Sequence, residues 1–509
     1  MSRALVLTAA IALGCTHADD YLIVTVDARP AVRDARSIAV TLVNAGATHS
    51  DTFALRDQPF PVTFSISAPG RTGDLQIAVD AHDGARIVGR GSTSATVEAA
   101  RASVMLDATD FVVNTDYAGD QFPSDNAEAG GFQVAARPDG TWTAVFRDAC
   151  MADACTVFAR QFDPSGKPVA TQAAAGSNAF AVTARPTASL SIPAIAAGQT
   201  TAVAVWNFFD TGAATTSGVA CRAIDGTGRL GADQIALDTV GASVVSVAAL
   251  AGGNFAATWR VIGAGGIDQI RMVIVHPDCS PLGAAQAVAT GGAASDFLHR
   301  GQIAGSADHV LVAWVTNGDV HARLASSAGA FLTPDTLLAS QTQTDRVESV
   351  RAVAASGGGF VVGARWAQKA STTGPGRIEV YRVDAAGARI GGPTVVSDQT
   401  GSDIDASNSF AMASRPDGTV LVAWHACGML GDGSLCGVFG RLLRDTGDAL
   451  GDAFAIPTTI DADQQLPSVA ALPDGFVAVW SDASEKAPDG LGKSVRARIL
   501  YPPSGATAP

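Results

Sequence analysis

RPDGTVLVAW (415–424) and its echo LPDGFVAVW (472–480) each set a Gly-ended turn before a short apolar strand that closes on Trp. Gly supplies the backbone freedom the turn needs, and the apolar run that follows reads as a buried strand. The motif returns about every 52 to 60 residues, as RPDGTWTAVF (137–146), TTAVAVW (200–206), GGNFAATW (252–259), DHVLVAW (308–314) and GGGFVVGARW (357–366). Each copy holds one of the seven Trp of the chain: Trp142, Trp206, Trp259, Trp314, Trp366, Trp424 and Trp480. In the first copy Trp142 stands four residues early and Phe146 takes the usual place; in the fifth, Trp366 comes two residues late. Both shifts are even, so the rings stay on one face of the strand. That assigns Trp to a repeated core role rather than to a ligand cage.

After each such strand comes a loop, then a strand ending in a Gly-rich turn: VFARQFDPSG (157–166), VACRAIDGTG (219–228), VHARLASSAG (320–329), VYRVDAAG (380–387), VFGRLLRDTG (438–447) and VRARILYPPSG (495–505). A fourth strand tends to open on Leu-Gly, as in LGADQIALDT (230–239), LGAAQAVAT (282–290) and LGDAFAIPT (450–458). Four-stranded units of this length, repeated seven times, predict an all-β chain whose residues 110–505 form a seven-bladed β-propeller. The seventh unit stops after its third strand, while DFVVNTD (110–116) matches AFAIPTT (453–459) of the sixth. The segment 110–116 is therefore expected to complete the last blade and close the ring, with 506–509 left as a tail.

Upstream, residues 21–109 read as seven short strands: YLIVTVDA (21–28), SIAVTLVNAG (37–46), DTFALR (51–56), FPVTFSISAP (60–69), DLQIAVDA (74–81), RIVGRGST (86–93) and ASVMLDA (102–108). The Asp83-Gly84 pair is a hairpin signal between two of them. Seven strands in this length suit a β-sandwich of immunoglobulin or fibronectin type. No titratable cluster stands out there.

Residues 1–15 read as a targeting segment: Arg3, then the apolar Ala4 to Leu13, then Gly14-Cys15. The ending IALGC resembles a bacterial lipobox, which implies that Cys15 carries a lipid, that 16–20 is a tether, and that Thr16 directs the chain to the outer membrane. With Cys15 set aside, six of the seven cysteines remain, an even number suited to disulfides in an exported chain. Cys150 with Cys155 and Cys427 with Cys436 lie astride short turns, which leaves Cys221 with Cys279 by elimination. The turn-plus-Trp strands, the Asp-x-x-Gly turns and the lipobox together resemble a broad group of exported bacterial propeller-repeat proteins, including envelope lipoproteins of myxobacteria. The resemblance implies fold and location, and brings no catalytic residue or ligand.

Composition excludes more than it assigns. The formal charge is −14, only 16% of residues are charged, and Lys occurs only at 167, 369, 486 and 493. Nucleic acid, which needs a basic face, is disfavoured as a partner. No EF-hand loop, Gly-x-Ser-x-Gly elbow or His-Glu-x-x-His occurs; VIGAGG (261–266) opens no helix; and His299, His309 and His321 read as solvated or hydrogen-bonded. One group rises above background: Asp116, Asp120, Asp398, Asp403, Asp405, Asp461 and Asp463, at the openings of blades one, six and seven. This acidic sector could hold Ca²⁺ or draw a basic partner; otherwise no cofactor or metal is expected. The sequence reading favours a monomeric, lipid-anchored, non-catalytic scaffold whose loop face binds a protein or glycan. The alternative is a propeller hydrolase or lyase acting on extracellular polysaccharide or peptide.

Overall fold

The repeat folds as its period demands. The computed structural model describes residues 21–67, 69, 71–115, 132–151, 154–174, 176, 178–183, 187–188, 193–210, 216–231, 235–239, 241–262, 268–291, 298–369, 376–400, 410–427, 435–486 and 492–502. Among these every regular element is a strand. By contact the chain divides into two compact units, 1–110 and 111–498, with short C-terminal pieces assigned to each.

In the first unit the strands are β1 (Tyr21–Ala28), β2 (Ser37–Asn44), β3 (Ala47–Ala54), β4 (Val62–Ser67), β5 (Asp74–Asp83), β6 (Arg86–Thr96) and β7 (Arg101–Ala108). Their hydrogen-bonded order is β3-β2-β5-β6-β7-β1-β4, with β1 and β7 parallel. Alternation decides the core: Leu22, Val24 and Val26 of β1 and Leu75, Ile77 and Val79 of β5 point inward, together with Phe64, Val104 and Leu106. Between β6 and β7 the register joins only Gly89 to Ala108 and Arg90 to Asp107.

The second unit is a seven-bladed β-propeller. Blades are named one to seven and their strands A to D from the centre outward. Blade one is Phe132–Ala136, Trp142–Met151, Ala154–Phe162 and Phe180–Ala181; blade two is Ala194–Ala197, Thr201–Asp210, Thr216–Asp225 and Ile235–Asp238. Blade three is Ala242–Ala249, Phe255–Ile262, Asp268–Val275 and Gln286–Thr290; blade four is Leu298–Gly305, His309–Thr316, Asp319–Ser326 and Thr336–Ala339. Blade five is Asp345–Ala354, Phe360–Gln368, Gly376–Val383 and Arg389–Thr400; blade six is Phe410–Ser414, Thr419–Cys427, Cys436–Arg444 and Phe454–Ala455. Blade seven is Gln464–Leu472, Gly475–Asp482 and Ser494–Leu500, with Phe111–Val112 as its fourth strand, where Val112 pairs with Arg496 and Phe111 with Ala497. Neighbouring A strands pack together around the centre, the seventh against the first.

The Trp strand explains why blades stack. Trp206, Trp259, Trp314, Trp366 and Trp424 each lie in a core shared with the preceding blade, as Trp206 does with Val145 and Val157. All seven are buried. Burying one such ring removes up to about 250 Å² from water, worth at most roughly 6 kcal/mol. The early Trp142 serves a different purpose: its ring stacks on Phe162 at 4.0 Å and meets Phe111 of the incoming strand at 6.3 Å. The turns entering the B strands bring Gly140 to φ 84° and Gly418 to φ 79°, conformations open to glycine.

Apolar stacking alone does not fix how far one blade slides along the next. A recurring arginine does. In blade two, Arg222 of strand C donates through Nη1 to the Val182 carbonyl of blade one at 2.8 Å and through Nε to its own Gly231 carbonyl at 3.1 Å. The same fork is made by Arg323 to Val288 and Thr333, and by Arg441 to Val396 and Gly451. Arg498 reaches Ile456, and Arg160 reaches Val113 of the strand contributed to blade seven. In blade five Tyr381 occupies the arginine position, and Arg389 lies over its ring and reaches Leu338 instead. A charge-assisted hydrogen bond of this kind contributes about 1.5–3 kcal/mol.

One seam lacks the fork. Blade three carries Val273 at the arginine position, and there Cys221 of blade two is bonded to Cys279 of blade three, with both residues fully buried. A second disulfide joins Cys427 to Cys436. The side chains of Cys150 and Cys155 lie outside those described. Closing a loop of 58 residues is worth about 4 kcal/mol on chain entropy. The double variant Cys221→Ala/Cys279→Ala should therefore lose up to about that much stability in denaturant unfolding, and adding Val273→Arg should restore part of it. An unchanged midpoint in the double variant would show that the seam does not need the bond.

Candidate functional site

All A strands begin, all B strands end and all C strands begin on one face of the ring. Because each B-strand aromatic turns toward the preceding blade, alternation turns the next residue toward the following one. That position holds Arg147, Asn207, Arg260, Val315, Arg365, His425 and Ser481, taking Ala364 as the aromatic position in blade five. These side chains meet the opening of the next A strand: Asn207 Nδ2 donates to the Ala242 carbonyl at 3.0 Å, and the Leu466 N–H faces His425 Nδ1 at 3.5 Å.

At the same level the A strands of blades three, four, five and seven are bulged, with the register shifting between Ser243 and Val245, His299 and Gln302, Val347 and Ser349, and Gln465 and Ser468. Val244 and Leu466 take φ values of 51° and 57°, a conformation that costs a non-glycine residue about 1–3 kcal/mol. Bulges re-aim side chains, and this set re-aims them at the mouth of the ring.

Blade five carries the densest chemistry. Its bulge presents Glu348, whose Oε2 accepts from Arg365 Nη1 at 2.6 Å and whose Oε1 accepts from Arg346 Nη2 at 3.1 Å. Arg365 is buried, whereas Glu348 keeps 14% of its side chain exposed. Beside it, Arg377 donates through Nη1 to Asp345 and through Nε to Glu379, each at 2.7 Å, and lies 4.7 Å over the Trp366 ring. Tyr381 donates its hydroxyl proton to Glu379. Desolvation, reinforced by Glu379, pushes the Tyr381 hydroxyl above its ordinary range, so it stays a donor. Desolvation would lower Arg377, but the bonds from Glu379 and Asp345 outweigh it and raise the guanidinium. Three carboxylates are thus matched by three guanidinium groups, and Glu348 and Asp345 remain reachable from water.

Two further groups stand on this face. Asp482, fully buried, accepts from Arg496 Nε at 2.7 Å, from Gln464 Nε2 at 3.2 Å and from the Ser484 hydroxyl. In blade three Arg260 donates to Asp268 at 2.6 Å, and Asp238 accepts from the Trp259 indole at 2.8 Å and from Arg271 at 3.1 Å.

The acidic sector expected from the sequence is only partly placed. Asp461 is exposed and lies 3.2 Å from Lys486, and Asp463 accepts from the Cys436 N–H at 3.1 Å. Asp116, Asp120, Asp403 and Asp405 fall outside the described residues, as does the side chain of Asp398. Among the described residues no three His, Cys, Asp or Glu side chains gather as a metal site. His321 hydrogen-bonds Asp335 at 2.7 Å and stacks on Trp314, while the His299 side chain is not among those described. Glu348, Asp345, Arg365, Arg377, Glu379, Asp482 and Arg496 were not singled out by sequence. Their one linear trace is the late Trp366, which stands two residues nearer the mouth and carries Arg377.

The sequence matches no protein-family profile and no curated protein. Its fold is similar to that of solved structures. An α-L-arabinanase of Penicillium chrysogenum complexed with arabinobiose is 11% identical over 77% of this chain and 98% of that one, with a TM-score of 0.43. A Hadza microbial sialidase is 7% identical over 95% of this chain and 94% of that one, with a TM-score of 0.44. A puromycin hydrolase is 14% identical over 73% of this chain and 54% of that one, with a TM-score of 0.40. At these identities the likeness is one of fold alone. These neighbours are named as an arabinanase, a sialidase and a puromycin hydrolase; the expectation of a non-catalytic scaffold is withdrawn in favour of its hydrolase alternative, while the likeness itself assigns this chain no activity.

Breaking a buried ion pair from one side leaves an uncompensated charge and costs about 3–5 kcal/mol. Arg496→Met should destabilise the propeller by about that amount in denaturant unfolding, while Lys486→Met, whose partner Asp461 is exposed, should change it by less than about 1 kcal/mol. Equal losses from the two variants would contradict the burial assigned to Asp482.

Proposed function

We propose that the chain is a hydrolase of extracellular polysaccharide, with Glu348 at its centre. The observation that carries the reading is the clamped, part-exposed carboxylate of Glu348 on a bulge of the innermost strand. Glycosidic bonds are cut by carboxylates, one acting as nucleophile or as base to a water. Arg365 and Arg346 fix the orientation of the Glu348 carboxylate by donating one hydrogen bond to each of its oxygens. Peptide hydrolysis by a hydroxyl or thiol nucleophile finds less support, because what blade five gathers is carboxylates and guanidinium groups.

Three other readings join this proposal. The first unit is a two-layer sandwich spanning 21–109, supported by its single apolar core and the short β6–β7 junction. Phe111–Val112 closes the ring, supported by its pairing with Ser494–Leu500 and by Arg160. Cys15 anchors the chain to the outer membrane through a lipid, supported by the IALGC ending.

Assayed by release of reducing ends from a panel of plant and bacterial polysaccharides, Glu348→Gln should lower kcat/KM at least about 100-fold in protein that is still folded at the assay temperature, although its melting temperature should fall because the buried Arg365 loses its counter-charge. Asp335→Asn, far from the mouth, should stay within about twofold. Full activity in Glu348→Gln, or no cleavage across the panel by the parent, would sink the assignment. In a lipoprotein-processing host, labelled palmitate should enter the parent and not Cys15→Ser; label in neither would remove the anchor.

A further inference from the structure

One cation of the propeller is left out of these networks. Arg351 lies on strand A of blade five, opposite Gly363. Its neighbours Val350 and Ala352 pack toward blade four, so Arg351 turns toward blade six, where its guanidinium lies 5.4 Å over the Phe410 ring. Its one hydrogen bond is from Nη1 to the Val350 carbonyl, and no carboxylate among the described residues lies within ion-pair distance. Gly363 permits this approach: a Cβ there would stand 2.4 Å from Met412 and 2.8 Å from Phe410. The side chain is half-buried, on the strand that borders the central channel.

The same level of the other A strands is read off the register, as the residue opposite the one before each aromatic position. It holds Gln133 opposite Val145, Ser246 opposite Thr258, Gln302 opposite Ala313 and Ser468 opposite Val479, with Ala194 and Ala411 in blades two and six. Gln133 uses its oxygen to accept from the Ile195 N–H at 3.3 Å, which leaves its amide donors. One cation, two amides and two hydroxyls thus stand around the channel on a level otherwise filled by alanine.

We propose that Arg351 binds the carboxylate of a uronic acid unit at the central channel. A planar guanidinium matches a carboxylate edge to edge, and the stacked Phe410 ring occupies its face rather than its donor edge. A phosphate dianion is disfavoured, because a single cation faces it in a chain of charge −14 with three carboxylates in the same blade. Burial pushes the guanidinium down to about 10, so at neutral pH it remains a cation that a counter-ion would stabilise. The inference rests on the polysaccharide reading only in choosing a sugar as carrier of the carboxylate.

Titration of the full chain with D-galacturonate at pH 7, followed by ligand-observed NMR, tests it. The parent should bind galacturonate at least tenfold more tightly than D-galactose, and Arg351→Met should abolish that preference while Arg351→Lys restores part of it. No preference in the parent, or the same preference in Arg351→Met, overturns the proposal; the parent comparison decides even if Arg351→Met does not fold. Asp335→Asn should keep galacturonate binding. Cleavage of neutral polysaccharide without galacturonate binding would leave the hydrolase and remove this site, and binding without any cleavage would do the reverse.

Discussion

The ring depends on a guanidinium held between two carbonyls, one from its own blade and one from the blade before. Apolar faces hold sheets together without saying where along the strand they should rest, because an aliphatic surface tolerates sliding by a residue pair. A fork of two N–H donors does not. Arg222, Arg323 and Arg441 each donate to a peptide oxygen of the blade before. Packing therefore supplies most of the cohesion, and the arginines supply register.

Where the arginine fails, the chain compensates locally. Tyr381 displaces it in blade five, and Arg389 reaches in from strand D. Val273 displaces it in blade three, and a covalent bond takes over. The seam between blades seven and one keeps its arginine and adds the Phe111, Trp142 and Phe162 rings, at the one place where the strands are distant in sequence. Each substitution is of a different chemical kind, yet all act between the outer half of one blade and its predecessor.

Much of this was legible in the sequence because it is periodic. Turn, apolar run and Trp recur often enough to count blades, and the match of 110–116 to 453–459 pointed to the strand beside Ser494–Leu500. The C-strand arginine was present in five of the six quoted C strands, VFARQF, VACRAI, VHARLA, VFGRLL and VRARIL, and was read only as part of a strand. The site was not legible because it is what the repeat is not: Glu348 is presented by a bulge and held by Arg346 of its own strand and Arg365 of the next. Linear motifs register neither. The two displaced Trp were the irregularities worth following, since Trp142 packs with Phe111 and Phe162 and Trp366 lies under Arg377.

The arginine forks also have a direction. Each reaches back to a strand that precedes it in the chain: Arg222 to Val182, Arg323 to Val288, Arg498 to Ile456. Even Arg160 reaches back, to Val113. For a polypeptide emerging amino end first, each of these arginines thus finds its acceptor already made. Blade one is fastened to Val113 before the seventh blade exists, so it carries the missing fourth strand in position as a template. The last blade to emerge meets a finished edge rather than searching for a distant one, which shortens the step that a closed ring would otherwise make slowest.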